Sequence, residues 1–355
     1  MTTCPTGRRA ALAVLGAFAL PRPAPAQGAW PGRPVRVIVP FAPGGASDFV
    51  ARILQPALGD ILGQPIVVEN RAGAAGNVGM EAAARAAPDG YTLFLGNVGT
   101  LAVNPTVFAR SIRVRPTMDF APISLSGDTP DVLLVNAGVP AGSVAELIAL
   151  ARAQPGRLNY GSPGAGSLNR LEMELFREAV PGGLDMVHVP YPGGAGPAVA
   201  AIVAGDTQAM FTTLPSALGQ VQAGRLRALA VTTAQRVPAL PAVPTLVESG
   251  FPDFVAGSWQ GVLAPSGTPA EVIARAFAAT VEAIGRPAVA QRLRGGGVEP
   301  VASRSPDAFA ALIAREAERW GALARRAGAT VDSRSAARPG CRGGAGRPLR
   351  RQRSA

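Results

Sequence analysis

The sequence predicts an α/β protein of two domains, on three observations. Short β-rich runs alternate with amphipathic helical patterns from Trp30 onward, as expected of strands covered by helices. A chain of 355 residues suits about two domains, each able to bury a core. One design, a strand followed by a glycine-rich loop, a serine and a helix, appears at residues 35–62 and again at 158–179.

The first copy opens with Val35-Arg36-Val37-Ile38-Val39, a buried-strand pattern that Pro43 stops. Gly44 and Gly45 then turn the chain into a helix for which Ser47 is a natural N-cap. Val50, Ile53, Leu54, Ala57, Leu58, Ile61 and Leu62 recur at helical spacing along one face. Free amides at the positive end of a helix suit an anion. An ordinary strand-to-helix turn, with Asp48 complementing the dipole, accounts for the same residues.

Ile66-Val67-Val68-Glu69 reads as a second strand. In the loop after it, Gly73, Gly76 and Gly79 imitate a dinucleotide fingerprint without its spacing. That loop is expected to line a cleft or to pack a helix over 80–87 closely on the sheet. Pro88-Asp89-Gly90 turns into a third strand, Tyr91-Thr92-Leu93-Phe94-Leu95, which ends at Gly96-Asn97-Val98-Gly99-Thr100. Ligands of open parallel sheets bind beyond the carboxyl ends of strands, which makes Asn97 and Thr100 candidates; plain loop chemistry is the alternative.

Two short strands follow at 123–126 and 132–136, then a helix carrying Val144, Leu147, Ile148 and Ala151. The second copy of the design runs from Leu158-Asn159-Tyr160-Gly161-Ser162 through Pro163-Gly164-Ala165-Gly166-Ser167 into a helix with Leu168, Leu171, Leu175 and Phe176 on its apolar face. Two such loops facing each other across a cleft would grip one anion from both sides. Strands at 186–191, 211–213, 226–232 and 262–264 and helices at 270–284, 288–293 and 306–327 complete the body. The proline-rich run 237–244 is expected to pack as an ordered surface loop.

The net charge of +11 suggests a nucleic-acid partner until it is located. Residues 1–26 hold three arginines and residues 333–355 hold seven, neither stretch with an acid, so the body between them carries a single net positive charge. No nucleic-acid role is expected of it. Arg8-Arg9, an apolar run over 10–20 and Ala24-Pro25-Ala26 form the pattern of a secretory signal peptide over 1–26. The arginine-, glycine- and proline-rich tail 333–355 has a composition that predicts disorder. Cys4 and Cys341 fall in these two ends, so the body has no thiol chemistry, and His188 is the sole histidine. No metal and no cofactor are expected.

Several linked motifs resemble the receptors of tripartite tricarboxylate transporters, also called Bug receptors. They are Val39-Pro40-Phe41-Ala42-Pro43-Gly44-Gly45 with Asp48; Val68-Glu69-Asn70-Arg71; Pro88-Asp89-Gly90-Tyr91-Thr92-Leu93; Tyr160-Gly161-Ser162 with Gly166-Ser167; Val189-Pro190-Tyr191; Leu226-Arg227-Ala228-Leu229-Ala230-Val231-Thr232; Pro241-Ala242-Val243-Pro244-Thr245; and Ser258-Trp259 before Gly261. The resemblance implies a two-lobe periplasmic-binding-protein-like fold of type II, the Venus flytrap, with two hinge-crossing segments. It implies lobe 1 over 27–103 plus 235–332 and lobe 2 over 104–234. It implies a periplasmic monomer that binds a small organic carboxylate and works with membrane transporter subunits. Carried onto this chain, the ligand-binding residues would be Phe41, Ala42, Pro43, Gly44, Gly45 and Ser47 from one lobe and Ser162, Gly166 and Ser167 from the other. Asn97 and Thr100 would join them, Phe41, Tyr191 and Trp259 would form apolar walls, and Asp48 would cap and orient the first loop. Arg170 and Gln208 depart from the family's histidine and aspartate at these places.

A secreted sensor for a membrane signalling partner would use the same cleft. A serine hydrolase built on Ser162 or Ser167 with His188 is the rival class, against which stand the absence of a G-x-S-x-G elbow and the strand-like setting of His188. Acid/base chemistry at Asp48 or Glu69 has the same standing.

Overall fold

The computed structural model describes residue 2, residues 30–164 and residues 166–326. Apart from residue 2, the expected signal peptide lies outside them, as do both cysteines and the tail 333–355. The chain begins β1 (Val35–Val39), α1 (Ala46–Leu62), β2 (Ile66–Asn70), α2 (Asn77–Ala84), β3 (Thr92–Asn97), α3 (Asn104–Val107), α4 (Pro116–Asp119) and β4 (Phe120–Thr129). It continues β5 (Asp131–Asn136), α5 (Val144–Ala153), β6 (Asn159–Ser162), α6 (Leu168–Ala179), β7 (Val187–Pro190), α7 (Ala195–Ala204), β8 (Ala209–Thr213), α8 (Leu214–Gln222) and β9 (Leu226–Val231). It closes with β10 (Ser258–Pro265), α9 (Ala270–Gly285), α10 (Pro287–Gly295) and α11 (Pro306–Arg326).

Two five-stranded sheets result, in the orders β2-β1-β3-β10-β4 and β7-β6-β8-β5-β9. In each, the strands at one end are parallel, while β10 runs against β3 and β4 and β5 runs against β8 and β9. Both faces of each sheet are covered, which explains why the strands read as unbroken apolar runs. Val35, Val37 and Val39 of β1 pack with α1, α9 and α10, whereas Ile38 turns to the opposite core with Phe94 and α11. Leu133 and Val135 of β5 likewise pack with α5 and α6, and Val132 and Leu134 pack with α7 and α8.

The lobes are divided differently from the expectation. Strand β4 pairs with β10 along its length, so residues 120–129 belong to the first sheet and the chain crosses at Pro130, well after residue 103. On the return, Val237, Leu240, Val243, Leu246, Phe251 and Phe254 all pack on the second sheet's cores, so the crossing back lies just before Ser258 and not at 235. Apolar contacts set both limits. The proline-rich run is fastened by Val231 N–H to Pro244 O and Leu246 N–H to Val231 O, each at 2.9 Å. Helix α11 then lies across the junction, where Phe309, Ile313 and Trp320 share a core with Leu168 and Leu171 of α6.

Candidate functional site

The lobes meet at a narrow cleft of about 50 Å³. Its walls bring together the start of α1 (Gly45, Ala46, Ser47), the start of α6 (Ser167, Leu168, Asn169), Ala195 at the start of α7 and Thr213 just before α8. Four helix N-termini, one from the first lobe and three from the second, therefore border one space and bring their positive dipole ends to it. Phe41, Ala75, Asn97, Gly99, Asn104, Pro163, Ser258 and Gln260 complete the lining. No side chain among these described residues is ionisable, so the electrostatic character of the cleft is set by backbone dipoles, amides and hydroxyls. Such an arrangement suits a carboxylate held by charge-assisted hydrogen bonds without a cation.

The first loop is built from the backbone upward. Helix α1 starts at Ala46 with Gly45 as its N-cap, so Ser47 is not the cap expected of it. Two residues of offset turn its side chain by a little over half a turn, and its hydroxyl donates to Gln260 Oε1 at 2.7 Å. Gly44 holds a φ of +89°, open to glycine at low cost, and its amide donates to Asp48 Oδ2 at 3.2 Å. Asp48 also accepts from Arg52 Nε at 3.0 Å and Asn70 Nδ2 at 2.9 Å, and the same Asn70 amide donates to Phe41 O at 3.0 Å. Burial opposes ionisation of Asp48, but the bonds from Arg52, Asn70 and Gly44 prevail and hold its carboxyl below the usual range. It is a strut for the loop, turned away from the cleft.

The second loop is tied in a similar way. Ser167 caps α6 by accepting from Arg170 N–H at 3.2 Å. Asn169 lines the cleft, and its Nδ2 donates to Asp131 Oδ1 at 3.0 Å and to Glu172 Oε2 at 2.9 Å. Asp131 and Glu172 are wholly buried. Burial pushes Asp131 up to about 7 and pushes Glu172 well up as well, with the Asp131 charge adding to the latter. Asp131 is the first residue of β5, directly after the crossing at Pro130, so this acid pair links the crossing to the cleft-facing end of α6.

Contacts between lobes are close. Ala42 N–H donates to Gly193 O at 3.2 Å, and a Cβ placed on Gly196 would come within 2.8 Å of Pro43 O. The Phe41 ring sits between Gly76 and Gly194, where added methyl groups would meet it at 3.1 and 3.3 Å.

Of the residues expected from sequence, Phe41, Gly45, Ser47, Asn97 and Ser167 line the cleft. Ala42, Pro43 and Gly44 shape the loop behind it. Thr100 is fully buried, and its amide and hydroxyl close a turn on Asn97. Gly166 lies against the Phe108 ring, where no side chain fits. Tyr191 packs on the second-lobe core, its amide donating to Ser162 O at 2.9 Å. Trp259 is no cleft wall: it points into the first-lobe core, edge-on to Phe309 at 5.6 Å. Its neighbours Ser258 and Gln260 face the cleft instead, as the two-residue period of a strand requires. That period was available in the sequence, and so was the third loop, Gly193-Gly194-Ala195-Gly196, which has the same make-up as the first two. Asn104 and Thr213 carried no local signal.

Ser162 and His188 do meet, with Oγ and Nε2 2.7 Å apart. Ser162 is fully buried and its hydroxyl donates to Gly164 O at 2.9 Å, so the imidazole supplies the proton between them, the reverse of a general base. Burial first, then Arg170, pulls His188 down to about 4. Among the described residues no carboxylate bonds its other nitrogen. The pair fixes the loop, with the imidazole stacked on Tyr160. Arg170 pairs with Glu174 at 3.6 Å, and Gln208 Oε1 accepts from Asn159 N–H at 2.8 Å, so neither lines the cleft. A larger groove, about 330 Å³, lies between α6, residues 250–256 and the end of α11, and no helix N-terminus opens on it.

Two mixed sheets, each covered by helices, with the chain crossing twice and a cleft between the lobes, define a binding protein of the periplasmic type. The model of the tripartite tricarboxylate transporter family receptor matches residues 50–329, and the chain belongs to that family. It is 39% identical over 303 residues to protein BugT of Bordetella pertussis, spanning 85% of this chain and 91% of that one. A solved Rhodopseudomonas palustris protein with bound malate, MatC, superposes with a TM-score of 0.77 at 34% identity over 83% of this chain and 99% of its own. An R. palustris protein solved with adipate gives a TM-score of 0.81 at 35% identity over 84% of this chain and 98% of that chain.

Proposed function

We propose that this protein is exported through its N-terminal signal peptide, captures a small organic carboxylate between its lobes in the periplasm, and delivers it to the membrane subunits of a tripartite tricarboxylate-type transporter. One observation carries the reading: helix N-termini from both lobes converge on a cleft whose described lining has no ionisable side chain. A carboxylate there would draw amides and hydroxyls from both sides at once, around Gly45–Ser47, Ser167–Asn169 and Ala195, so binding would favour the closed arrangement of the lobes. The malate and adipate held by two structural relatives agree with this class of ligand.

The test is titration calorimetry of refolded, ligand-stripped protein against mono-, di- and tricarboxylates, amino acids and aromatic acids. Saturable binding of at least one carboxylate is expected, with heat lost when its methyl ester replaces it. No binding across the panel overturns the reading. Loss of carboxylate uptake in a deletion strain, with its transcriptional response intact, separates transport from sensing.

A further inference from the structure

Two buried polar atoms in the first-lobe wall of the cleft have no partner. Asn104 is fully buried, and its Nδ2 spends both hydrogens, on Ala75 O at 2.9 Å and Asn77 Oδ1 at 2.7 Å. Because Ala75 O can only accept, the amide cannot be turned over, and Asn104 Oδ1 is left buried without a donor. Gln260 is also fully buried; its Oε1 accepts the Ser47 hydroxyl, and its Nε2 has no acceptor. Both residues line the cleft. A single wide π-helical turn, Gly99–Val103, delivers Asn104 there from the end of β3.

Buried polar groups without partners are costly, and at a ligand site the ligand is the natural partner. The two atoms ask for different things. Gln260 Nε2 needs an acceptor, which any carboxylate supplies. Asn104 Oδ1 needs a donor, which a carboxylate lacks. An ammonium would meet the same positive helix ends that attract the carboxylate, with no acidic side chain in the described lining to offset them. A neutral hydroxyl meets both conditions.

Resting on the carboxylate reading above, we propose that the cleft selects hydroxy-carboxylates, with the Asn104 side-chain carbonyl accepting a hydrogen bond from the ligand hydroxyl and the Gln260 amide donating to a ligand oxygen. Unsubstituted carboxylates of the same length leave Asn104 Oδ1 buried and unpaired, and they bind more weakly for that reason.

Matched pairs test this by calorimetry: malate with succinate, 2-hydroxyglutarate with glutarate, lactate with propionate. In every pair that binds, the hydroxy acid should bind at least about tenfold more tightly, the worth of one buried hydrogen bond left unmade. Asn104→Ala should bring the ratio to near one. The 2-methoxy counterparts, which keep the oxygen and lose the hydroxyl proton, should bind the wild type no better than the unsubstituted acids; if Asn104→Ala melts abnormally, this comparison and the wild-type ratio decide. Pairs that bind equally to the wild type overturn the selection and leave the carboxylate reading standing, as does a ratio unchanged in a folded Asn104→Ala protein. A blank for all pairs and for the wider panel overturns both.

Discussion

Replacing Asp131 by asparagine should change how stability depends on pH. In the native protein burial holds the Asp131 carboxyl at about 7, against 3.8 for the free side chain. A group raised on folding keeps a proton that the unfolded chain releases. Its contribution is therefore fully present below about pH 3.8 and is lost as pH rises to about 7. At about 1.36 kcal/mol for each unit, the shift amounts to on the order of 4 kcal/mol between pH 4 and pH 8. Asparagine resembles the protonated acid, can still accept from Asn169, and cannot ionise. His188 pulls the other way: held at about 4, it loses stability as pH falls below about 6.5. That effect is common to both proteins and cancels in their difference; the effect of Glu172 does not, because the Asp131 charge is part of what raises it, so the variant relieves Glu172 in the same direction and the difference belongs to the acid pair. Thermal melts of wild type and Asp131→Asn at pH 4 and pH 8 should show the variant gaining roughly 8 °C more at pH 8 than at pH 4, at about 2 °C per kcal/mol for a chain of this size. An equal change in melting temperature at both pH values would refute the buried-acid account.

Three further outcomes are expected. Gly196→Ala places a methyl group against Pro43 O across the cleft; it should hold the lobes apart, weaken carboxylate affinity by about tenfold or more and leave the melting temperature of ligand-free protein nearly unchanged, read by calorimetry and small-angle scattering. Asp48→Ala removes the acceptor shared by Gly44, Asn70 and Arg52 and should lower stability by about 1–3 kcal/mol in urea unfolding at pH 7. The loss should shrink in acid, because a carboxyl held below its usual range stabilises above about pH 3.8 and ceases to do so as pH falls through its lowered value. Trp259→Phe should leave carboxylate affinity unchanged, since the indole lies in the core and its Nε1 has no partner to lose; a drop of tenfold would return Trp259 to the cleft wall.

The fold was legible because its strands are apolar on both faces and its helices on one. The runs at 35–39 and 132–136 announced covered strands, and glycine-rich loops ahead of helices announced the segments that border the cleft. Linked motifs spread along the body were enough to identify the family. The limits of the lobes were not legible, because residues 104–129 and 235–257 change lobe through long-range contacts, β4 with β10 and Leu246 with the second core, that leave no local mark.

Sequence by itself thus determined the architecture, the family and the two loops that open on the cleft, since these follow from periodicity, turn residues and motif order. Tertiary structure decided which atoms face the cleft. A helix that begins two residues early sends Ser47 to Gln260 in place of its own backbone. The register of β10 buries Trp259 and presents Ser258 and Gln260. Asn104 and Asn169 are held at the cleft by Ala75, Asn77 and Asp131, which fasten their amides from elsewhere in the chain. The physical reason is that a hydrogen-bonding side chain takes its direction from partners distant in sequence, whereas a strand, a helix or a glycine turn is specified by its neighbours.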